Sequence, residues 1–328
     1  MNWGWVSFFG LSAVIGWSGA VIAQAPVASP PRSAAATRQI PQRTFANPAE
    51  AAHALASAMR TDDSSQIEAV LGPGSDKLIR SGDPVEDTTG RARFLSAYET
   101  AVRIENVGDA NATILIGPED FPFPYPLVRT AKRWRFDAKS GAEEILNRRI
   151  GRNERAAIQV CLAYVDAQRE YALKDRDSNG VLEYAQKFIS TPGRHDGLYW
   201  VTAEGESPSP LGPLSTRARD QGYEHLGAAP YYGYFYRILT AQGKDNPGGA
   251  YDYVVRGKMI GGFALVAYPA RWGISGVMTF ICNHRGIVHE KNLGPRTATI
   301  AETMSRYDPG PGWKAAGPQR SDSVAPDR

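Results

Sequence analysis

The chain has 328 residues, 22% of them charged and 42% hydrophobic, with 37 Lys+Arg against 34 Asp+Glu. That length accommodates two ordinary domains, and the composition describes a folded body, not a disordered chain. A net charge of +3 gives no electrostatic case for nucleic acid or an anionic membrane as the main partner, and two cysteines exclude a disulfide-rich scaffold or a four-cysteine zinc site.

Trp3 to Ile22 are apolar or small and carry no charge, and Ala23, Gln24 and Ala25 follow. This pattern predicts a secretory signal over 1–25 and a periplasmic or secreted protein without an integral membrane body. No Lys or Arg precedes the run, and Pro26 disfavours cleavage after Ala25, so Ala20 and Ala23 are the better cleavage points. The competing reading is an uncleaved anchor, since about 20 apolar residues can span a bilayer. Both readings put the body outside the cytoplasm. Residues 26–44, rich in Pro, Ala and Ser, have no apolar period and read as a disordered linker.

Order is expected from Phe45. Asn47 before Pro48 is a helix-start signal, and Ala51, Ala52, Leu55, Ala58 and Met59 continue it as a stripe. Further helices are predicted at Ser65–Leu71 and Arg91–Arg103, then strands at Ala112–Ile116, Leu127–Lys132 and Arg133–Asp137. Helices followed by strands make 45–150 an α+β domain. From Ala142 to Leu173 the spacing predicts a long helix with Ile150, Ala157, Cys161, Tyr164, Gln168 and Tyr171 on one stripe. Gly151 is a candidate break, which sets the domain boundary near 150. Arg148, Arg149, Arg152 and Arg155 on this helix, offset by Glu143, Glu144 and Glu154, read as a solvated face.

The second domain, 151–307, continues with a polar loop, a helical segment at Val181–Ile189 and an irregular Gly/Pro-rich stretch over 191–230. An antiparallel meander is predicted from Tyr232–Thr240, Tyr251–Arg256, Phe263–Tyr268, Val277–Asn283 and Ile287–Glu290, with His284-Arg285-Gly286 as a hairpin loop. A last helix covers Thr297–Tyr307, and 308–328 reads as a disordered tail. Cys161 and Cys282 fit either two buried small hydrophobes or an export-permitted bridge. Tyr232, Tyr234 and Tyr236 share a strand face, which suits sheet packing better than a binding platform.

The sharpest chemical motif is Asp175-Arg176-Asp177-Ser178-Asn179-Gly180. D-x-D-x-N-G puts oxygen ligands at loop positions one, three and five and the turn glycine at six, as calcium requires. Gln186 stands where the bidentate Glu of position twelve belongs, and Glu183 at position nine is the substitute ligand. Asp175, Asp177, Asn179 and Glu183 are therefore a candidate structural calcium set. The competing reading is a polar turn in which Asp and Asn bond their own backbone.

Other motifs fail. His289-Glu290-Lys291-Asn292-Leu293 lacks the second His of H-E-x-x-H, Gly273-Ile274-Ser275-Gly276 is not G-x-S-x-G, and Gly257-Lys258-Met259 lacks the Walker spacing. His195, Asp196, Ser275 and His284 read as polar loop residues, and His53, Asp120 and Asp137 as surface or cap residues. No catalytic residue is assigned.

The segments FPFPYPLV, RRIGRNE, DRDSNGVLEYAQKFISTPG, DGLYW, SPLGPL, GYFYRILTAQG, GGFALVAYPARWGISGVMTFICNHRGIVHEKNLG and YDPGPGW resemble, in order, the bacterial domain-of-unknown-function 2950 family, from about Phe45 to Trp313. The family carries no assigned activity. The helix-first pattern ending in WRFD resembles the nuclear-transport-factor-2-like cone, which implies a pocket in the first domain. The long helix followed by a meander is similar to pilin-type globular domains. It departs from pilins in having no prepilin-peptidase site and some 140 residues before the helix. The expectation is an exported cell-envelope protein, a non-enzymatic binding or structural module. The alternatives are an enzyme or small-ligand binder using the first-domain pocket, and an accessory of a pilus or secretion system with an envelope protein partner.

Overall fold

A computed structural model describes residues 40–75, 79–176, 178–223 and 229–316. The predicted signal, most of the linker, Asp177 and residues 317–328 lie outside the described residues.

Order starts upstream of Phe45. The Gln42 side chain donates to the carbonyls of Leu71 (2.9 Å) and Phe136 (2.8 Å), which ties 40–44 to the first core. Helix α1 (Pro48–Thr61) begins as its sequence signal predicts: Asn47 accepts from the Glu50 amide at 2.8 Å and Pro48 takes the first turn. Its stripe of Ala51, Ala52, Leu55 and Ala58 is buried. Helix α2 (Ser64–Leu71) is capped by Asp63. Helix α3 (Pro84–Thr100) is capped by Asp83 and starts seven residues before the predicted Arg91.

The expected end at Arg103 is corrected. Ala101 is extended, and Val102 and Arg103 open strand β1 (Val102–Val107). A six-pair ladder to β2 (Asn111–Ile116) outweighs the helical continuation. Then come β3 (Phe121–Pro122), β4 (Leu127–Thr130) and β5 (Arg133–Phe136). The sheet is antiparallel, ordered β1-β2-β4-β5, with β3 on β2. Phe45, Leu55, Ile67, Ile114, Leu127 and Phe136 form the first core between this sheet and the helices.

Helix α4 (Ala138–Tyr171) runs without a break through Gly151. Asp137 caps it, accepting from the Ser140 hydroxyl at 2.8 Å. Gly141 is required by close approach, since a Cβ there would lie 2.2 Å from the Tyr125 ring. Ala142, Ile145 and Leu146 pack on the first core, whereas Ala157, Cys161, Tyr164, Val165 and Tyr171 enter a second. One helix thus passes from one core to the other. Polar bonds hold the crossing: Asn153 donates to the Ser275 carbonyl (3.0 Å), and Glu154 accepts from the Val277 and Met278 amides (both 3.0 Å).

Val181–Ile189 is not helical. It is irregular, with bridges from Tyr184 to Met259 and from Ile189 to Tyr199. The buried Gln168 amide explains this, because it binds both backbone groups of Ala185, at 2.7 and 2.8 Å. A short helix α5 (Gly212–Asp220) lies in the stretch read as irregular and buries Leu214 and Ala218 at i, i+4 spacing.

The second region contains β6 (Tyr234–Leu239), β7 (Ala241–Gln242), β8 (Tyr251–Asp252), β9 (Val254–Val255), β10 (Lys258–Met259), β11 (Ala264–Pro269), β12 (Thr279–Asn283) and β13 (Val288–Lys291). After these come helix α6 (Thr297–Thr303), β14 (Arg306–Tyr307) and β15 (Lys314–Ala315). The main sheet is antiparallel, β15-β13-β12-β11-β6. β15 pairs with β13, so residues 308–316 are part of the fold where a disordered tail was expected. The last predicted helix ends at Thr303, because Arg306 and Tyr307 pair with β7 instead. Every residue of β11 and β12 is buried, since α4, α6 and β14 all pack on them. Gly286 closes the β12–β13 hairpin at φ +80°, as the motif predicts. The class is α+β, with no closed barrel among the described residues. Among these residues no helix is long and apolar enough to cross a membrane.

Candidate functional site

The first region holds an open cavity of about 460 Å³ between α3, α4 and the sheet. Met59, Ile67, Leu71, Ile116 and Ile145 make its apolar floor, and Phe94 and Ala97 of α3 form the roof. Helix α3 is unusual in its 17 residues: none is buried. It is nevertheless fastened at both ends. At its start, buried Asp83 accepts from the Tyr223 hydroxyl (2.8 Å), the Gly233 amide (2.9 Å) and the Glu86 amide (3.1 Å). At its end, the Gly117 amide donates to the carbonyls of Ala97 (3.1 Å) and Ala101 (2.9 Å). The middle of the helix spans the cavity.

One edge of the cavity is charged. Arg91 and Arg93 come from α3 and Arg148, Arg149 and Arg152 from α4, and the lining carboxylates among the described residues are Glu86 and Asp87. Glu86 Oε1 is shared by Arg152 (2.7 Å) and Arg93 (3.1 Å). Arg91 pairs with Asp62. Arg148 pairs with Glu144 at 2.6 Å and lies over the Phe121 ring. Arg149 is buried, and desolvation lowers its pKa although Asp87 pulls the other way. Burial likewise raises the Asp87 pKa, against the Ser81 bonds and the Arg149 charge that lower it. For both groups desolvation outweighs attraction, so these charges are costly where they sit.

The solvated-face reading of the α4 arginines is therefore corrected for Arg149 and Arg152. Arg155 is exposed as expected. The signal that was present is spacing: 148, 149 and 152 share a helical face with Ile145, so the basic run continues an apolar stripe.

The calcium candidates lie elsewhere, after α4. Asp175 accepts from the amides of Asn179 (3.2 Å) and Gly180 (2.8 Å), and Asn179 Oδ1 accepts from the Val181 amide (3.0 Å). Glu183 Oε1 is bonded by Asn179 Nδ2 (3.1 Å) and by Lys258 Nζ (2.9 Å). Asp177 lies outside the described residues. The three described candidates thus bond one another, the backbone and Lys258. Among the described residues no group of three or more His, Cys, Asp or Glu is arranged to hold a metal.

The remaining candidates have local partners. Asp120 pairs with Arg103 at 2.8 Å, Asp137 caps α4 and His53 is exposed. Asp196 is held near pKa 2: burial opposes the shift, but bonds from Lys187 and Thr191 outweigh it. His195 stacks on Trp200, and the Ser275 hydroxyl accepts from the Arg271 amide at 3.0 Å. Burial lowers the His284 pKa. Tyr223, Tyr231, Tyr234 and Tyr236 are core residues, whereas Tyr232 precedes β6 at φ +50° and is only partly buried, so the expected shared face of Tyr232, Tyr234 and Tyr236 is corrected. Cys161 and Cys282 are free and fully buried.

No curated protein and no solved structure gives a significant match to the chain. Residues 42–316, which is most of the chain, match the family described as "Protein of unknown function (DUF2950)", and the chain belongs to that family.

Proposed function

We propose that this protein is a non-catalytic module of the cell envelope that holds a small, apolar-bodied ligand in the cavity under α3. One observation carries the reading: a helix fastened at both ends, with no buried residue, spans a cavity of about 460 Å³. That volume falls within the roughly 300–1,000 Å³ of small-molecule sites. An apolar helix face over a void gains its missing contacts from an occupant. The non-catalytic reading rests on the lining. It includes no His, Ser, Thr, Cys or Lys among the described residues, and its two carboxylates are engaged by arginines and the Ser81 amide. The envelope location rests on the uncharged apolar run Trp3–Ile22. The second region, whose helix-on-sheet order underlies the pilin-type resemblance, serves as the frame that fixes α4 and Asp83.

The test is a thermal melt of the protein with decanol, a neutral apolar probe. At one hundred times Kd, a one-site ligand raises the melting temperature by about 5–10 °C. Ala97→Trp, which fills the cavity from its roof, is expected to abolish the rise. No rise in the parent protein, or an undiminished rise in the variant, contradicts the reading.

A further inference from the structure

We propose that the exposed edge of β1 joins two copies of this protein: the two strands pair antiparallel across a twofold axis, with Ile104 opposite Ile104 and Arg103 opposite Glu105 of the second copy.

The first argument is the state of the edge. β1 is the last strand on its side of the sheet, and its residues are exposed apart from a half-buried Ile104. None of them lines the cavity. On the opposite edge, Phe45 exchanges backbone bonds with Trp134 of β5, both at 2.8 Å. Proteins commonly blunt a free edge with proline, a bulge or a covering element. β1 has no proline, and its ladder runs from Val102↔Ile116 to Val107↔Asn111 without a skipped residue.

The second argument is the direction of the backbone groups. The Gly117 amide donates to the Ala101 carbonyl at 2.9 Å, one step beyond Val102↔Ile116. Bonded and non-bonded pairs alternate along an antiparallel ladder. Arg103, Glu105 and Val107 therefore turn their backbone groups to β2, and Val102, Ile104 and Asn106 turn theirs outward. Among the described residues no backbone group bonds to that outward edge.

The third argument is charge, which selects both the partner and the register. A twofold pair centred between two residues would set outward groups against inward ones. Centring it on Arg103 sets Arg103 against itself, and centring it on Glu105 sets Glu105 against itself. Like charges directly opposite are destabilising. Centring it on Ile104 matches outward groups with outward groups and forms the Arg103–Glu105 pair twice, as an isologous contact requires. Arg103 already has a counter-charge within its own chain, since it donates to Asp120 through Nε (3.3 Å) and Nη2 (2.8 Å). That pair is half-exposed and leaves Nη1 to reach Glu105 of the second copy.

The experiment is sedimentation velocity of the full chain at rising concentration. A six-residue edge is small against the roughly 1,200–2,000 Å² of a standard interface, so a monomer–dimer equilibrium with a Kd of about 10–100 μM is expected. Glu105→Arg and Arg103→Glu are each expected to stay monomeric alone and to form a dimer when mixed, because opposite charges then face each other. Asn106→Pro deletes an outward donor without removing a bond to β2, and is expected to abolish the dimer with the melting temperature of the monomer unchanged. A parent protein that stays monomeric to about ten times that Kd overturns the proposal and leaves the edge to a strand of another protein. A dimer that persists in Glu105→Arg, or single variants that stay monomeric when mixed, also overturn it.

Discussion

The two ends of α4 lie in different packing regimes. Its C-terminal half lies on β11 and β12, in which every residue is buried, and Ala157, Cys161 and Tyr164 have almost no exposed surface. Its N-terminal half shares its space with α3, none of whose residues is fully buried, and with a cavity edged by arginines. The same helix is thus a solid strut at one end and a wall of a void at the other. The second region is closed by apolar packing, and the bonds from Asn153 and Glu154 transmit that rigidity to the crossing point. Function is better sought in the first region, where an open cavity lies under α3.

Truncations in the two regions should separate most widely. Phe280→Ala removes a fully buried ring from β12, and a loss of about 3–5 kcal/mol in urea unfolding is expected. Phe94→Ala, in the roof of the cavity, removes a half-buried ring, and about 1 kcal/mol is expected. Equal losses would show that the two cores are packed alike. The joint between the regions comes next. Asp83→Ala deletes the α3 cap and leaves the Tyr223 hydroxyl and the Gly233 amide without their acceptor, so a loss of about 3 kcal/mol is expected. A loss below about 1 kcal/mol would mean that α3 is not held from the second region. The smallest effect concerns the loop after α4. Because Glu183 already pairs with Lys258, replacing EDTA by calcium should shift the melting temperature by less than about 1 °C. A calcium-specific rise of several degrees, lost in Asp175→Ala, would instead establish the ion site.

Elements with a strong local signal were legible in the chain. Asn47-Pro48 starts α1, the Ala157–Tyr171 stripe is buried, and four of the five expected meander strands pair in order, whereas the expected strand Tyr251–Arg256 is corrected: it splits into β8, which pairs with β7, and β9, which pairs with β10, outside the main sheet. The misses have tertiary causes. Val102 and Arg103 extended the helical reading of α3 because β1 is almost wholly exposed and shows little alternation. Residues 181–189 are not helical because the Ala185 backbone is bonded by Gln168, a side chain 17 positions upstream. Most of the candidate site was hidden for the same reason. Arg148, Arg149 and Arg152 have the spacing of any solvated helix face, and only the placement of α3 opposite them turns that face into the edge of a cavity. The D-x-D-x-N-G motif was legible, but its Lys258 partner lies 75 residues from Glu183 and could not be read from the loop.

The central claim is that α3 is a roof awaiting an occupant, and amide hydrogen exchange with and without decanol tests it most directly. Without ligand, amides of the middle of α3 should exchange far faster than those of β11 and β12, because few buried contacts resist their local opening. With decanol, α3 should slow while β11 and β12 stay unchanged. Protection of α3 equal to that of β11 without ligand, or no change on adding decanol, would contradict the account.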